Sequence, residues 1–436
     1  MSRLLAALVL AALCAGCRGF APSTAADSQR SAPAAIPNTD TERVVYSFHQ
    51  LPGGEIPEAA LIVDPAGGFY GTTTRGGTSL GCGSASGCGT IFRLALQNGK
   101  YVETTLHSFD PANGLYPGYP LTRDSSGDLF STTQVANPLG NAYGLFRQHG
   151  AWRFRILHSF QGGYDGAQPR SDLVIDKHGN LFGTTVAGGT GGSGGNGMVY
   201  ELTPTAHGAW KETVVHRFTQ ASNGTNPQAG VVFASGGDLY GTASYGGNTA
   251  CAAGCGTVFK LKSSNGSWSA TLLHAFDGVD GALPLADLVA DRAGNLYGSA
   301  EQGAHSGCFG GCGTLFELHR LPAGRWKFAV IHVFDATNGG SPSGNMVFDS
   351  AGNLYGATVG GGNAGACPQT LGCGVVFKLA PGARGAWLYT VLHKFNNSPD
   401  GALPNDGLGW GADGKLYGTT IGGGALSLGS VFQVSP

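Results

Sequence analysis

The sequence predicts an all-β fold, namely a seven-bladed β-propeller of four-stranded antiparallel blades that spans residues 43–436 and is closed by its N-terminal strand. Three observations predict it: a recurring segment, four strand-like stretches in every period, and chain ends that complete each other. The segment at residues 291–300 has six close variants, and the seven copies share an aromatic position at Tyr70, Phe130, Phe182, Tyr240, Tyr297, Tyr355 and Tyr417. Their spacing of 52 to 62 residues is typical of a repeat architecture.

Each copy of the segment encodes a hairpin turn. An aspartate such as Asp291 stands at the turn entrance, where its carboxylate can accept a hydrogen bond from the backbone two residues on. A glycine such as Gly294 follows, because the turn needs a positive φ. Apolar and β-favouring residues flank the turn, which predicts a strand on either side.

Four strands are predicted in each period. In the fifth copy they cover residues 284–290, 295–299, 313–318 and 326–334. Four strands repeated seven times match a propeller whose blades circle a central channel.

The two ends of the repeat region support ring closure. Residues 43–48 match the fourth strand of the repeat, whereas residues 429–434 match a third strand and end the last copy. The N-terminal strand is therefore expected to complete blade 7, which removes exposed sheet edges. An open β-solenoid is the alternative, and it would leave those edges unpaired.

Composition limits the partners. Lys and Arg total 25 and Asp and Glu total 27, charged residues are only 12% of the chain, and no basic cluster occurs. Binding to nucleic acid or to an anionic membrane surface needs a concentrated basic patch, so neither is expected. The 76 glycines fit short strands joined by tight turns.

Residues 1–17 have the layout of a bacterial lipoprotein-type signal peptide. Arg3 precedes an apolar run, and small residues lead to Cys17. This ending resembles a lipobox, which implies lipidation of Cys17, although Cys14 replaces the usual leucine; cleavage without lipid is the alternative. Residues 18–42, rich in Ala, Ser, Pro and Thr, are predicted to be a disordered linker. The expected location is the cell envelope or outer surface, with the membrane contacted only through the N-terminal lipid.

The repeat resembles a known family. The motifs Asp-x-x-Gly-Asn-Leu-Tyr-Gly, Cys-Gly-Thr-Val-Phe-Lys-Leu and Leu-His-x-Phe resemble the GloVer tandem repeat of choice-of-anchor bacterial surface proteins. The first two strands also resemble NHL and streptogramin-lyase-like propellers. The resemblance implies a propeller at the cell surface and brings no established activity with it.

Two sets of polar residues occupy repeated positions. Six histidines, with Tyr46 as the seventh member, lie near the end of the fourth strand: His107, His158, His216, His274, His332 and His393. A catalytic residue is needed once, so we interpret this set as structural. A second set comprises Asn113, Asp165, Asn223, Asp280, Asn338 and Asp400. We interpret it as turn residues, with a weak cation site or sugar-binding groups as the alternative.

Eight cysteines form four close pairs in the loops between strands two and three. The pairs are Cys82 with Cys88, Cys251 with Cys255, Cys308 with Cys312, and Cys367 with Cys373. Local, even pairing in an exported chain predicts disulfides. A zinc site would need pairs from two blades to converge. We therefore assign no metal and no cofactor.

Unrepeated aromatic residues in the loops of one propeller face are the candidate binding residues: Tyr116, Tyr119, Tyr164, Tyr245, His305 and Phe309. Exposed rings at such positions can stack on sugars or hold a peptide. We therefore expect a monomeric, non-catalytic binding or scaffold module for a glycan or envelope protein. The alternative is a propeller lyase or hydrolase, which must gather unrepeated acid and base groups at the channel mouth. His305 with Glu301 is the nearest such pair in sequence, and we assign no catalytic residue.

Overall fold

The computed structural model describes residues 42–436 except 50–51, 80, 83–86, 136–138, 191–193, 207, 220–222, 235, 305–306 and 309. Within these residues, seven antiparallel sheets of four ladder strands follow one another along the chain. Six sheets are built from consecutive strands, and the seventh combines three C-terminal strands with the first strand of the chain. The predicted seven-bladed β-propeller is thus confirmed.

The blades are numbered in chain order, and their strands run from the channel outward. Blade 1 comprises Ile62–Val63, Phe69–Thr73, Thr90–Gln97 and Lys100–Ser108. Blade 2 comprises Thr122–Arg123, Leu129–Thr133, Asn141–Gln148 and Ala151–Ser159. Blade 3 comprises Val174–Ile175, Leu181–Ala187, Met198–Pro204 and Trp210–Arg217. Blade 4 comprises Val231–Phe233, Leu239–Ala243, Thr257–Ser264 and Ser267–Ala275. Blade 5 comprises Val289–Ala290, Leu296–Ala300, Thr314–Arg320 and Trp326–Val333. Blades 6 and 7 comprise Val347–Phe348, Leu354–Thr358, Val375–Pro381 and Trp387–Lys394; Gly409–Trp410, Leu416–Thr420, Ser430–Val434 and the N-terminal Glu42–Ser47.

Short elements complete the description. Gly54–Glu55 pairs with Arg75–Gly76, and Ala167–Pro169 adds to the second strand of blade 3. Single 3₁₀ turns cover Gly163–Asp165, Pro322–Gly324, Pro368–Thr370 and Ala383–Gly385.

Ring closure occurs as predicted. The N-terminal strand Glu42–Ser47 pairs antiparallel with Ser430–Val434 of blade 7, with Glu42 opposite Val434 and Ser47 opposite Ser430. The backbone N–H of Phe48 then donates to the Gly429 oxygen at 3.1 Å. The strand supplies hydrogen-bond partners to an edge that would otherwise be open.

The hairpin turns have the predicted chemistry. The Asp64 carboxylate accepts from the backbone N–H of Ala66 at 3.0 Å, and Asp349 accepts from that of Ala351 at 2.9 Å. Gly294 adopts a φ of 83°, a conformation that favours glycine.

The first strand of each blade is shorter than predicted. The sequence predicts a strand over residues 284–290, yet only Val289 and Ala290 join the ladder of blade 5. The preceding residues form hydrogen bonds to blade 4 instead. The Pro284 oxygen accepts from the Ser244 hydroxyl at 3.2 Å, and the Ala286 oxygen accepts from the Thr242 hydroxyl at 3.5 Å. The segment between proline and strand is therefore a blade-to-blade contact.

This contact recurs around the ring. A Thr or Ser hydroxyl on the second strand of one blade donates to a backbone oxygen of the segment that enters the first strand of the next blade. The pairs are Thr72 to Tyr119, Thr132 to Ser171, Thr184 to Ala229, Thr242 to Ala286, Ser299 to Pro342, and Thr419 to Ala59. The last pair joins blade 7 to blade 1, so the seven blades form a closed ring.

Aromatic residues pack across the same seams. The repeated aromatic of the second strand contacts the tryptophan that begins the fourth strand of the next blade, at centroid distances of 5.6 to 6.1 Å for Tyr70–Trp152, Phe130–Trp210, Phe182–Trp268, Tyr240–Trp326 and Tyr297–Trp387. Each blade also buries a phenylalanine completely after its fourth strand, such as Phe276. Burying an aromatic ring of this kind contributes roughly 1.5–3 kcal/mol, so the seams hold much of the core.

Candidate functional site

The loops expected on one propeller face do lie together. The loop between strands two and three of a blade pairs with the loop that enters the same blade, through isolated bridges such as Thr225 with Tyr245 and Ala282 with Gln302. All four predicted disulfides form within their own loops. The loops of this face, the cysteine face, are thereby tied to their own blades.

The loop tyrosines differ in exposure. Tyr164 is 68% exposed, and the Arg217 guanidinium lies 5.9 Å from its ring centroid. Tyr116 is half-buried, and its hydroxyl donates to the Cys82 oxygen at 3.2 Å. Tyr245 is also half-buried. Of the three, Tyr164 presents the most ring surface to a ligand.

Tyr119 does not present an exposed ring. It is only 5% exposed, because its segment packs between blades 1 and 2. The expectation of an exposed ring at this position is therefore wrong. His305 and Phe309 lie outside the described residues, so the suggested pairing of His305 with Glu301 is not described either.

The repeated histidines and the repeated Asp/Asn residues turn out to be partners. The Nε2 atom of His158 lies 2.9 Å from Asp165, and that of His274 lies 2.8 Å from Asp280. Asparagine replaces the aspartate after three other histidines, and burial lowers the pKa of those three rings: His107, His216 and His332. These pairs are part of the blade seams, which fits a structural role.

The central channel is lined by the segment between the proline and the first strand. In this five-residue segment, Pro-x-x-x-Leu in most blades, the residues one and three positions after the proline are mostly half-buried, and the one between them is mostly buried. The third position breaks the sevenfold pattern, since it holds Ala60, Pro120, Asp172, Gly230, Asp287, Asn345 and Gly407. Unrepeated polar groups therefore converge on the channel.

Asp287 and Asn345 form a reciprocal pair at this level of the channel. The Asp287 backbone N–H donates to Asn345 Oδ1 at 2.9 Å, and Asn345 Nδ2 donates to Asp287 Oδ2 at 2.8 Å. The second Asp287 oxygen, Oδ1, accepts from the backbone N–H of Gly230. Both oxygens of Asp287 thus accept from N–H donors.

Asp172 completes the cluster from blade 3. Its buried Oδ1 atom receives no hydrogen bond from an N–H or hydroxyl donor among the described residues. Instead it lies against Gly230, where a Cβ atom would be 2.3 Å from Asp172 Oδ1 and 3.2 Å from Asp287 Oδ1. Glycine is required here by close approach, and its absence of a side chain lets two carboxyl groups of non-adjacent blades meet.

Burial and the neighbouring carboxylates act on the pKa of Asp172. Burial, and next the charge of Asp287 and a hydrogen bond with it, raise the pKa of Asp172 well above its usual value, and Asp406 of blade 7 adds to the effect. The raised pKa favours the protonated form of Asp172, while both oxygens of Asp287 accept from N–H donors. The cluster hence places two carboxyl groups and one amide group at the channel, linked by the hydrogen bonds described above.

A buried arginine lies nearer the cysteine face. Arg170, two residues before Asp172, is 4% exposed and donates to the Gln228 amide oxygen at 3.4 Å.

We define the channel site as Asp172, Asp287 and Asn345. The sequence carried a signal for it, because the third position after the proline departs from the repeat, whereas the prediction considered only the loops.

The disulfides indicate an oxidising compartment, so the protein is extracellular or periplasmic. Among the described residues, no helix has the length and apolar character that a membrane crossing requires. Fold and site together define an exported repeat propeller with a polar central channel.

The chain belongs to the Gloeobacter/Verrucomicrobia repeat family, whose model matches residues 34–195, 137–320 and 304–436. The family resemblance expected from the motifs is thereby confirmed. No functionally curated protein matches the sequence.

Solved structures share the fold. A protein from Lactobacillus plantarum superposes with a TM-score of 0.51 at 15% identity, over 80% of this chain and 86% of that chain. The periplasmic gluconolactonase of Pseudomonas aeruginosa superposes with a TM-score of 0.51 at 16% identity, over 80% of this chain and 88% of that one. At these identities the likeness concerns the fold alone.

Proposed function

We propose that this protein is an exported propeller that binds a hydroxyl-rich ligand, of the glycan class, in its central channel. The observation that carries the proposal is the convergence of Asp172, Asp287 and Asn345 from three blades. Sugar hydroxyls donate to carboxylates and accept from protonated carboxyls and amides, so the channel site offers complementary groups. Tyr164 on the cysteine face provides a stacking surface for a longer ligand.

The test is a glycan array probed with the wild type and with two variants. Asp172→Asn keeps the shape of the side chain and removes its carboxyl group, whereas Asp124→Asn alters a repeated turn aspartate away from the channel. We expect roughly tenfold weaker binding for Asp172→Asn, since leaving a buried polar group without its partner costs about 1–3 kcal/mol. Binding that is equal in both variants would contradict the proposal.

A second candidate is a hydrolase, favoured by the close approach of the two carboxyl groups and the raised pKa of Asp172. The carboxyl groups of glycoside hydrolases stand roughly 5–9.5 Å apart, whereas Asp172 and Asp287 are within hydrogen-bonding reach. Such a pair instead resembles a dyad that activates water, with the carboxylate as base and the protonated group as acid. A carbonyl substrate such as a sugar lactone or ester fits this chemistry, and the shared fold of a gluconolactonase agrees with it.

The two candidates are separated by turnover. The wild type would be incubated with sugar lactones and esters, with Asp287→Asn as the inactive control. Hydrolysis that disappears in Asp287→Asn would establish the hydrolase, and ligand binding without turnover would establish the binding protein.

We further propose that Cys17 carries a lipid and that the predicted linker, up to the strand that begins at Glu42, tethers the monomeric propeller to the envelope. The disulfides and the compartment they indicate support this proposal. Lipid labelling of the wild type and of Cys17→Ala tests it. Equal labelling of the two would refute a lipid at this residue.

A further inference from the structure

At the blade seams, a second repeated position lies next to the repeated histidines. It is the residue four positions before the repeated histidine of one blade, and it faces the repeated histidine of the preceding blade. In three seams it is an aromatic ring stacked on that histidine, at centroid distances of 4.0, 3.6 and 3.8 Å for His107–Phe154, His274–Phe328 and His332–Tyr389. In these seams the facing residue covers one face of the imidazole ring and brings no ligand atom to it.

Three blades carry a glutamate at the facing position: Glu42, Glu103 and Glu212. Glu103 faces Tyr46, whose hydroxyl donates to it at 2.7 Å, while the backbone N–H of Gly54 donates at 3.1 Å. That seam is a satisfied hydrogen-bond pair and contains no histidine of the repeated set.

The seam between blades 6 and 7 differs. Glu42, His393 and Asp400 each provide one potential ligand atom, and these atoms all lie within 4.8 Å of one another. We propose that this cluster, the seam triad, binds one divalent transition-metal ion of the zinc type. One imidazole nitrogen with two carboxylate oxygens is a donor set that zinc accepts, and the imidazole disfavours calcium and magnesium.

The spacing suits bound ligands better than a direct hydrogen bond. His393 Nε2 is 3.4 Å from Asp400, whereas the matching distances are 2.9 Å for His158–Asp165 and 2.8 Å for His274–Asp280. Two ligands held at about 2.0–2.1 Å from a tetrahedral zinc ion are separated by roughly 3.3 Å. The pair is thus opened to the distance that a shared ion requires.

The surroundings of the seam triad fit an ion with an open position. Asp400 Oδ2 accepts from the backbone N–H of Asn396 at 2.9 Å, which orients the carboxylate. A cavity of about 330 Å³, lined by the triad with Val44, Asn396 and Pro399, gives access from solvent. Water can fill the remaining coordination position.

The seam between blades 2 and 3 provides a natural comparison. Glu212, His158 and Asp165 are the same three residue types at the equivalent positions. There the histidine keeps its short bond to the aspartate, and among the described residues Glu212, His158 and Asp165 do not bring one ligand atom each within 4.8 Å of the others. The proposal therefore places one ion per chain, at the blade 6–7 seam.

The ion would act on ring closure. Glu42 belongs to the N-terminal strand that completes blade 7, and His393 and Asp400 belong to blade 6 and the loop that follows it. A metal bond between them ties the closing strand to a second blade. This role is independent of the channel site, so either proposal can fail without the other.

The experiment is zinc titration of the purified, tag-free chain by isothermal calorimetry, with melting temperature as a second readout. We expect one zinc ion per chain and a higher melting temperature in ZnCl₂ than in EDTA, with no such increase in CaCl₂ or MgCl₂. His393→Ala and Glu42→Gln should each weaken zinc binding at least roughly tenfold. His158→Ala is the matched control and should bind zinc as the wild type does.

Two outcomes would overturn the proposal. One is a wild-type chain that binds no zinc. The other is zinc binding that survives in both His393→Ala and Glu42→Gln, or that falls equally in His158→Ala. Glu42 is the first residue of its strand, so Glu42→Gln disturbs the fold least. If His393→Ala disturbs the seam itself, Glu42→Gln still tests zinc binding.

Discussion

The Thr419 hydroxyl donates to the backbone oxygen of Ala59 at 3.0 Å, across a sequence separation of 360 residues. Both residues are buried. The bond repeats the contact that joins the other neighbouring blades, except blades 6 and 7, where Ala357 has no hydroxyl to donate. The last seam of the ring is therefore built like the others. Closure depends on this contact and on the N-terminal strand together.

Deletion of residues 42–48 should expose the edge strand Ser430–Val434. An unpaired strand edge favours pairing with another chain, so we expect a lower melting temperature and oligomers. Size-exclusion chromatography with light scattering and thermal unfolding measure both effects. A truncated chain that stays monomeric with an unchanged melting temperature would show that the strand does not close the ring.

Gly298→Ala should destabilise blade 5. A Cβ atom at this position would lie 2.4 Å from Phe316 Cζ, and overpacking of a buried ring costs about 1–3 kcal/mol. Gly194→Ala is the control, because a Cβ atom there meets nothing within 4 Å. Urea unfolding of both variants compares the two positions, and equal stability would refute the packing argument.

Much of the fold follows from local sequence. The hairpin turn needs only Asp at its entrance and Gly near its end, and these residues recur often enough to give the blade count. The chain ends supplied the closure, because residues 43–48 repeat the pattern of a strand such as Trp326–Val333. The length of the first strands was overestimated. An apolar run after proline does not reveal that its carbonyl groups accept hydrogen bonds from the neighbouring blade.

The channel site was harder to predict. Asp172 and Asp287 are separated by 115 residues and belong to non-adjacent blades, and they meet only because Gly230 has no side chain between them. The histidines and the Asp/Asn set were both recognised from their period. That they pair with each other, as in His158 with Asp165, depends on how the loop folds back after the strand.

The four disulfides should each be of modest importance to stability. Cys308→Ser with Cys312→Ser removes a link of sequence separation 4, and a loop this short contributes only about 2 kcal/mol in the chain-entropy model. We expect a folded double variant with a lower midpoint of chemical unfolding. Peptide mapping without reduction should recover four pairs, each within one blade, and a pair that joins two blades would contradict the structure.

Glu212 should make stability depend on pH. Burial, and next the charge of Asp165, raise the pKa of Glu212 to about 7, while Arg217 opposes the shift. A carboxyl group with a raised pKa stabilises the fold below its unfolded value of about 4.3, and this contribution is lost as the pH rises towards 7.

Glu212→Gln removes the charge and keeps the shape. Its melting temperature relative to the wild type should rise between pH 4 and pH 8. Glu103→Gln is the comparison at the equivalent position of blade 1, where Tyr46 and Gly54 donate to the glutamate. A Glu212→Gln difference that does not change with pH would contradict the assigned burial effect.

The most direct test of the channel site is infrared difference spectroscopy of the carboxyl C=O stretch, comparing the wild type with Asp172→Asn at pH 6. An isolated aspartate, with a pKa of about 3.9, is ionised at this pH. Because burial, and next the charge of Asp287, raise the pKa of Asp172, we predict a protonated-carboxyl band in the wild type that is missing from Asp172→Asn. Coincident spectra of the two proteins in this region would show that Asp172 carries no proton at this pH, and would contradict the channel site as described.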